Sequence, residues 1–157
     1  MEVEDTKQEA RHGSLEEEAT LNLWRTADRL QIHFTRLFRS HGLTPQQYNV
    51  LRILRGAREP LACLDIASRL ITVTPAITGL IDRLDEAGLI ARERCSEDRR
   101  VVHVRITPLG RQKLRALDAP VERLHKELLG HLGNPQLRQL IALSREARRV
   151  AEDDGEA

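Results

Sequence analysis

The 157-residue sequence has few of the residues that build covalent or metal-held scaffolds. It contains two cysteines, Cys63 and Cys95, both far from any CxxC pair or Cys/His cluster. Two cysteines cannot make a disulfide framework, and their setting argues against a structural zinc site. Six histidines, at 12, 33, 41, 103, 125 and 131, are scattered without an HExxH, and GxSxG, a Gly-rich phosphate loop and a dinucleotide fingerprint are all missing. With no nucleophile–base pair or metal spacing to nominate, the chain is read as no enzyme, and no metal or cofactor is assigned. No apolar run approaches the ~20 residues that span a bilayer, and the acidic start lacks the basic and apolar regions of a signal peptide. The expectation is a cytoplasmic protein with no membrane partner.

Net charge is also small. Lys+Arg number 25 and Asp+Glu 24, for a formal charge of +1, which seems to argue against a polyanionic partner. The distribution reverses that impression. Residues 1–18 carry seven acids and two bases, and residues 152–157 carry four acids and no base. The body between them is therefore +10, which permits nucleic acid without proving it. Residues 61–107 hold seven charges of each sign, so bulk charge carries no inference there.

The prolines that are present punctuate the chain. Four of six follow a helix-capping residue: Thr44-Pro45, Thr74-Pro75, Thr107-Pro108 and Asn134-Pro135. Proline at the first helical position lacks only an N–H that would be unsatisfied anyway, so each pair predicts a helix start. Ser14-x-x-Glu17 adds a fifth through a capping-box pattern, and Thr44-x-x-Gln47 strengthens one already marked. The first helix should run from Leu15 to Ser40 and stop near Gly42, with Leu23, Ala27, Leu30, Phe34 and Leu37 along one stripe that Trp24 and Phe38 widen. A helix from Pro108 toward Gly130, which Pro120 should kink or deprive of a hydrogen bond, and one from Pro135 to Ala151 repeat the device. These terminal helices are expected to pack together and onto a second copy; the alternative is a monomer whose end helices cover its own core.

Between Thr44 and Thr107 the pattern reads helix, helix, helix, strand, turn, strand. Pro45–Ala57 presents Tyr48, Val50, Leu51 and Leu54, while Cys63, Ile66, Ala67 and Leu70 line a short helix. The helix after Thr74 has Ile77, Leu80, Ile81 and Leu84 as its buried stripe and ends at Gly88. The period then changes to two, with Val102, Val104 and Ile106 on one side of a strand and a partner strand at Leu89–Cys95. Helices joined by a tight turn and followed by a β-hairpin make a winged helix-turn-helix. The fold class is thus mainly α with a small β-hairpin wing (α+β), a winged helix-turn-helix plus a helical dimerisation domain. Its expected divisions are acidic tails at 1–14 and 152–157, a dimerisation domain from 15–42 and 108–151, and a DNA-binding domain at 44–107.

The stretches LTPQQYNVLRIL, LDIASRL, ITGLIDRLDEAGLI and above all EDRRVVHVRITPLG resemble the MarR family of bacterial transcription regulators. Several motifs occur in the right order over about residues 20–150, with Ile106 where the family more often has Leu. The resemblance implies a homodimer, dimerisation through the first and last two helices, and a double-stranded, pseudo-palindromic DNA operator. It also implies repression relieved by a small ligand or by cysteine oxidation.

Local chemistry selects candidate contacts. Outside the buried stripe of the helix after Thr74 lie Thr74, Pro75, Thr78, Gly79, Asp82 and Arg83. The two threonines can each donate, accept or offer a methyl to thymine. Gly79 suits close approach of the backbone to DNA, or else tight packing against a neighbouring helix. Asp82 would be repelled by phosphate and is expected to orient Arg83 or Arg69. In the hairpin turn, the resemblance makes Arg100 the residue that enters the minor groove, Asp98 its support and Arg99 a phosphate contact; an ordinary solvated turn is the alternative.

Two switches remain open. Trp24, His33, Tyr48 and Arg52 are candidates to line a site for a small aromatic or acidic effector, with Phe34 and Phe38 read as core. Cys95, among Arg92, Arg94, Arg99 and Arg100, is a redox candidate opposed by Glu93, Glu97 and Asp98. The peroxide-sensing branch of the family carries its cysteine in the first helix, where this chain has none. A dimeric winged-helix adaptor that binds protein instead of DNA is the remaining alternative. If the acidic ends limit stray association, removing residues 1–13 and 152–157 raises affinity for a nonspecific duplex in a fluorescence-anisotropy titration at low salt; unchanged affinity makes them solubility appendages.

Overall fold

The computed structural model describes residues 13–72, 75–98 and 100–153, and side-chain caps open three of its α-helices. Ser14 Oγ accepts the Glu17 N–H at 3.2 Å and opens α1 (Leu15–Ser40), while the Glu17 carboxylate reaches one residue further back and accepts the Gly13 N–H at 2.9 Å. At α2 (Pro45–Gly56) the reciprocal box closes, with Gln47 N–H donating to Thr44 Oγ1 and Thr44 N–H to Gln47 Oε1. The remaining elements are β1 (Leu61–Ala62), α3 (Cys63–Arg69), α4 (Ile77–Glu86), β2 (Ile90–Arg94), β3 (Val102–Ile106), α5 (Pro108–Leu129), a 3₁₀ turn at Gly130–Leu132 and α6 (Gly133–Asp153).

The mainly helical fold with a hairpin wing agrees with the sequence reading, and three local expectations are corrected. β1 is an additional strand that pairs antiparallel with β3, Leu61 opposite Val104, giving the sheet order β1-β3-β2. Its two residues are too few to show an alternation. Helix α4 starts at Ile77, not at Pro75: Pro75 and Ala76 form a turn, and the capping position falls on Ala76, which has no side-chain bond to offer. Helix α6 already begins at Gly133, so Asn134 lies inside its first turn.

The chain divides into two compact units, the first ending at Leu114 and the second starting at Arg115. In the first, Val50, Leu51, Ile66, Leu84 and Val104 are buried from α2, α3, α4 and β3, joined by Leu114 from the start of α5. Helix α4 buries Leu80, Ile81 and Leu84 and keeps Ile77 half-buried. Phe38 is buried in the core and stacks on half-buried Tyr48 with ring centroids 4.1 Å apart, and half-buried Phe34 lies 6.0 Å from Phe38. In the hairpin Ile90 pairs with Ile106, Arg92 with Val104 and Arg94 with Val102.

The end of α4, both hairpin strands and the start of α5 meet at one junction. Gly88, at φ +68°, lets its N–H bond Asp85 O at 2.8 Å and the Leu89 N–H reach back to Leu84 O at 3.0 Å. Thr107 then binds the turn from the other side: its N–H donates to Leu89 O at 3.1 Å and its hydroxyl to Gly88 O at 2.7 Å. The same hydroxyl accepts the Gly110 N–H at 3.1 Å and so caps α5. Gly110 is buried so close to the Leu89 carbonyl that a Cβ there would overlap it, and would also sit 2.8 Å from Ile106.

In the second unit α5 runs unbroken through Pro120, which has no N–H to give to Ala116 O. Helix α6 leaves Ile141, Leu143 and Val150 exposed, as the N-terminal half of α1 in the first unit leaves Leu23 and Trp24. No helix among the described residues is long and apolar enough to cross a membrane. Gly110→Ala lowers unfolding free energy by roughly 1–3 kcal/mol, the usual cost of overpacking a filled site; an unchanged midpoint in urea denaturation would show that the junction relaxes freely.

Candidate nucleic-acid interface

A helix-turn-helix and its wing present side chains outward because their other faces are consumed by the core. On α4, Thr78 and Arg83 are exposed, and Pro75 is exposed in the turn just before it. Gly79 follows Thr78 in the first turn, and no described atom lies within 4 Å of a Cβ built on it. Among the described residues no neighbouring helix packs against this half-buried glycine, so a methyl there has room. Thr74, named with these residues, lies outside the described residues.

Asp82 corrects an expectation. It pairs with Arg92 of β2 rather than with Arg83 or Arg69, and Arg92 Nε also lies 3.2 Å from Asp85 Oδ2. A single strand thus supplies the cation that answers two carboxylates of α4. The contact spans the Gly88 turn, so no helical spacing announces it.

At the wing tip, Asp98 acts through both main chain and side chain. Its Oδ1 accepts the Arg100 N–H at 3.0 Å and Arg100 Nε at 3.2 Å, while Asp98 O accepts the Val101 N–H at 3.0 Å. The Cys95 N–H closes the loop onto Val101 O at 3.0 Å. The carboxylate thereby shapes the turn and tethers the guanidinium by one edge, while the Arg100 side chain stays 92% exposed. Such a cation keeps its outer N–H groups for a further anion. Arg99 lies outside the described residues.

The effector candidates are dispersed in character. Trp24 and His33 are exposed on α1, Tyr48 is engaged by Phe38, and Arg52 is exposed with its guanidinium 3.4 Å from Asn49 Oδ1. A groove of about 320 Å³ on α1 is lined by Asp28, Gln31, Ile32, Thr35, Arg36 and Arg39, and includes none of the four. Cys95 is half-buried, and two of the four arginines counted toward it are held elsewhere, Arg92 by α4 and Arg100 by Asp98. No group of three or more His, Cys, Asp or Glu suited to a metal ion occurs among the described residues.

The arrangement of α3, α4 and the β2–β3 hairpin is that of a winged helix-turn-helix DNA-binding regulator. The MarR family model matches residues 43–102. A crystal structure of a MarR transcription factor from Planctomyces limnophilus is 46% identical, spans 86% of this chain and 98% of its own, and superposes with a TM-score of 0.67. The homoprotocatechuate degradative operon repressor of Escherichia coli is 25% identical over 81% of this chain and 85% of its own length. Bordetella bronchiseptica BpsR, whose structure addresses regulation of its DNA binding by 6-hydroxynicotinic acid, is 25% identical with a TM-score of 0.75, over 84% of this chain and 99% of its own. The chain belongs to the MarR family and is a transcription regulator by family and fold.

Because Gly79 is an open helical position, Gly79→Ala raises the stability of the free protein by about 0.5–1 kcal/mol. A fall in thermal midpoint would instead reveal a packing duty for the missing side chain.

Proposed function

We propose that the protein is a homodimeric repressor that binds a pseudo-palindromic DNA operator and leaves it when a small aromatic or acidic molecule binds. The observation that carries the DNA reading is the wing tip, where Asp98 tethers an otherwise exposed Arg100. A guanidinium on a narrow hairpin fits the minor groove, where the potential is most negative. Pro75, Thr78, Gly79 and Arg83, with Thr74 before them, form the surface offered to the major groove, and Arg99 is placed with the phosphates.

Repression and ligand release are supported by the similar E. coli operon repressor and by BpsR, whose DNA binding is the subject of regulation by 6-hydroxynicotinic acid. Trp24, His33, Tyr48 and Arg52 are retained as the effector candidates. Exposed Leu23 and Trp24 on α1, and Ile141, Leu143 and Val150 on α6, support a dimer built from segments 15–42 and 108–151, with 44–107 binding DNA. Two copies of α4 related by a twofold axis would then meet half-sites about 10–10.5 bp apart.

Arg100→Ala is expected to weaken operator binding by more than about tenfold, the loss of a charge-assisted groove contact. Arg58→Ala, an exposed arginine outside the proposed surface, changes it little. Electrophoretic mobility shift supplies the affinities, and sedimentation equilibrium verifies that both variants remain dimers. Equal, small effects would remove the wing from DNA recognition.

A further inference from the structure

Strand β2 reads Ile-Ala-Arg-Glu-Arg, and its alternation places Arg92 on the same side as buried Ile90. The register confirms the phase, since Arg92 lies opposite Val104, which is fully buried. Arg92 itself stays solvent-accessible, and from that side of the strand its guanidinium is within reach of carboxylates on the neighbouring helix. Asp82 and Asp85, three residues apart and so on neighbouring rows of α4, take the Nη2 and Nε edges of the guanidinium. The side chain is 34% exposed, the least exposed member of any described ion pair. The hydrogen bond that Arg92 donates to Asp82, with the nearby charges of both carboxylates, holds the guanidinium even more firmly protonated than usual.

We propose that Arg92 is a positioning residue for DNA recognition: by bridging Asp82 and Asp85 it locks α4 to the hairpin and fixes the spacing between Thr78 and Arg100. This inference rests on the DNA-binding reading given above. Beside the apolar core that α4 and the hairpin share, the polar ties between wing and α4 otherwise lie at the Gly88 turn and its Thr107 junction, at the hairpin's base. The Arg92 bridge adds a polar tie at the third residue of β2, three beyond Leu89, and this second, separated tie restrains rotation of the wing about its base. Planarity is essential to this role, because a guanidinium can hold two carboxylates at once in a fixed orientation, whereas an ammonium is a point charge on a flexible stem. The bridge also compensates two negative charges on a helix that the proposed function brings toward phosphate.

A positioning role and a mere charge role separate under Arg92→Lys, which keeps the charge but not the fork. The probe is a duplex selected by the wild-type protein from a random-sequence pool, with a scrambled duplex of equal length as the reference. Arg92→Lys is expected to lower the ratio of selected to scrambled affinity by about tenfold, as for residues coupled in one ion-pair network. Asp82→Asn with Asp85→Asn lowers that ratio equally, without weakening scrambled binding, and combining both changes adds no further loss. Circular dichroism and the thermal midpoint show which variants are folded; because the bridge is partly solvated, its stability contribution is small. Should Arg92→Lys fail to fold, the double asparagine variant alone decides. A ratio retained by the folded lysine variant, or by the double asparagine variant, overturns the proposal. A wild-type protein that binds selected and scrambled duplexes equally overturns the DNA reading itself.

Discussion

The hydroxyl of Thr107 is the point on which the first unit's geometry depends. It donates to Gly88 O and accepts from Gly110 N–H, so one side chain closes the end of α4 and opens α5. Neither bond forms unless the chain reverses at Gly88 with positive φ and Gly110 lies without a side chain against Leu89. Gly88 is thus coupled to Thr107 and Gly110, some twenty residues on, by mutual steric and hydrogen-bonding demands. The hairpin rises from this junction in register, and only then do Arg92 and the wing tip acquire defined neighbours.

Electrostatics in this protein is a matter of placement. The near-zero net charge conceals a basic body and acidic ends, and the winged segment is itself balanced. Within it several charges are matched locally: Arg105 with Glu93 at 2.8 Å, Arg92 with two carboxylates, and Arg100 with Asp98. What differs among these cations is exposure, from 34% for Arg92 to 92% for Arg100. The more withdrawn one is suited to hold protein to protein and the more exposed one to reach an external anion, although both are arginines paired with aspartate.

Elements governed by local chemistry were legible in the sequence. Caps at Ser14, Thr44 and Thr107 work as read, since each needs only residues three positions apart, and the stops at Gly42 and Gly88 follow from a backbone conformation that glycine adopts freely. The stripe of α4 and the alternation of β3 are likewise periodic signals averaged over several residues. What escaped the reading depends on contacts made across the fold. Two residues of β1 form a strand only because β3 is there to receive them, and the turn at Pro75 overrides proline's preference for a first helical position. At the candidate site the exposed set on α4 and the Asp98–Arg100 pair were recognisable, whereas the partner of Asp82 was not. Its signal was available in the phase of Arg92 with Ile90, not in the spacing along α4.

The order β1-β3-β2 places the best-packed strand in the middle and leaves two unlike edges. One edge is only two residues long, and the other carries Arg92, Glu93 and Arg94 in succession. Short and charged edges offer a poor template for strand addition by another chain. A hairpin that stands out from the body is consequently guarded against sheet-to-sheet aggregation by the same residues that tie it to α4 and keep it hydrated.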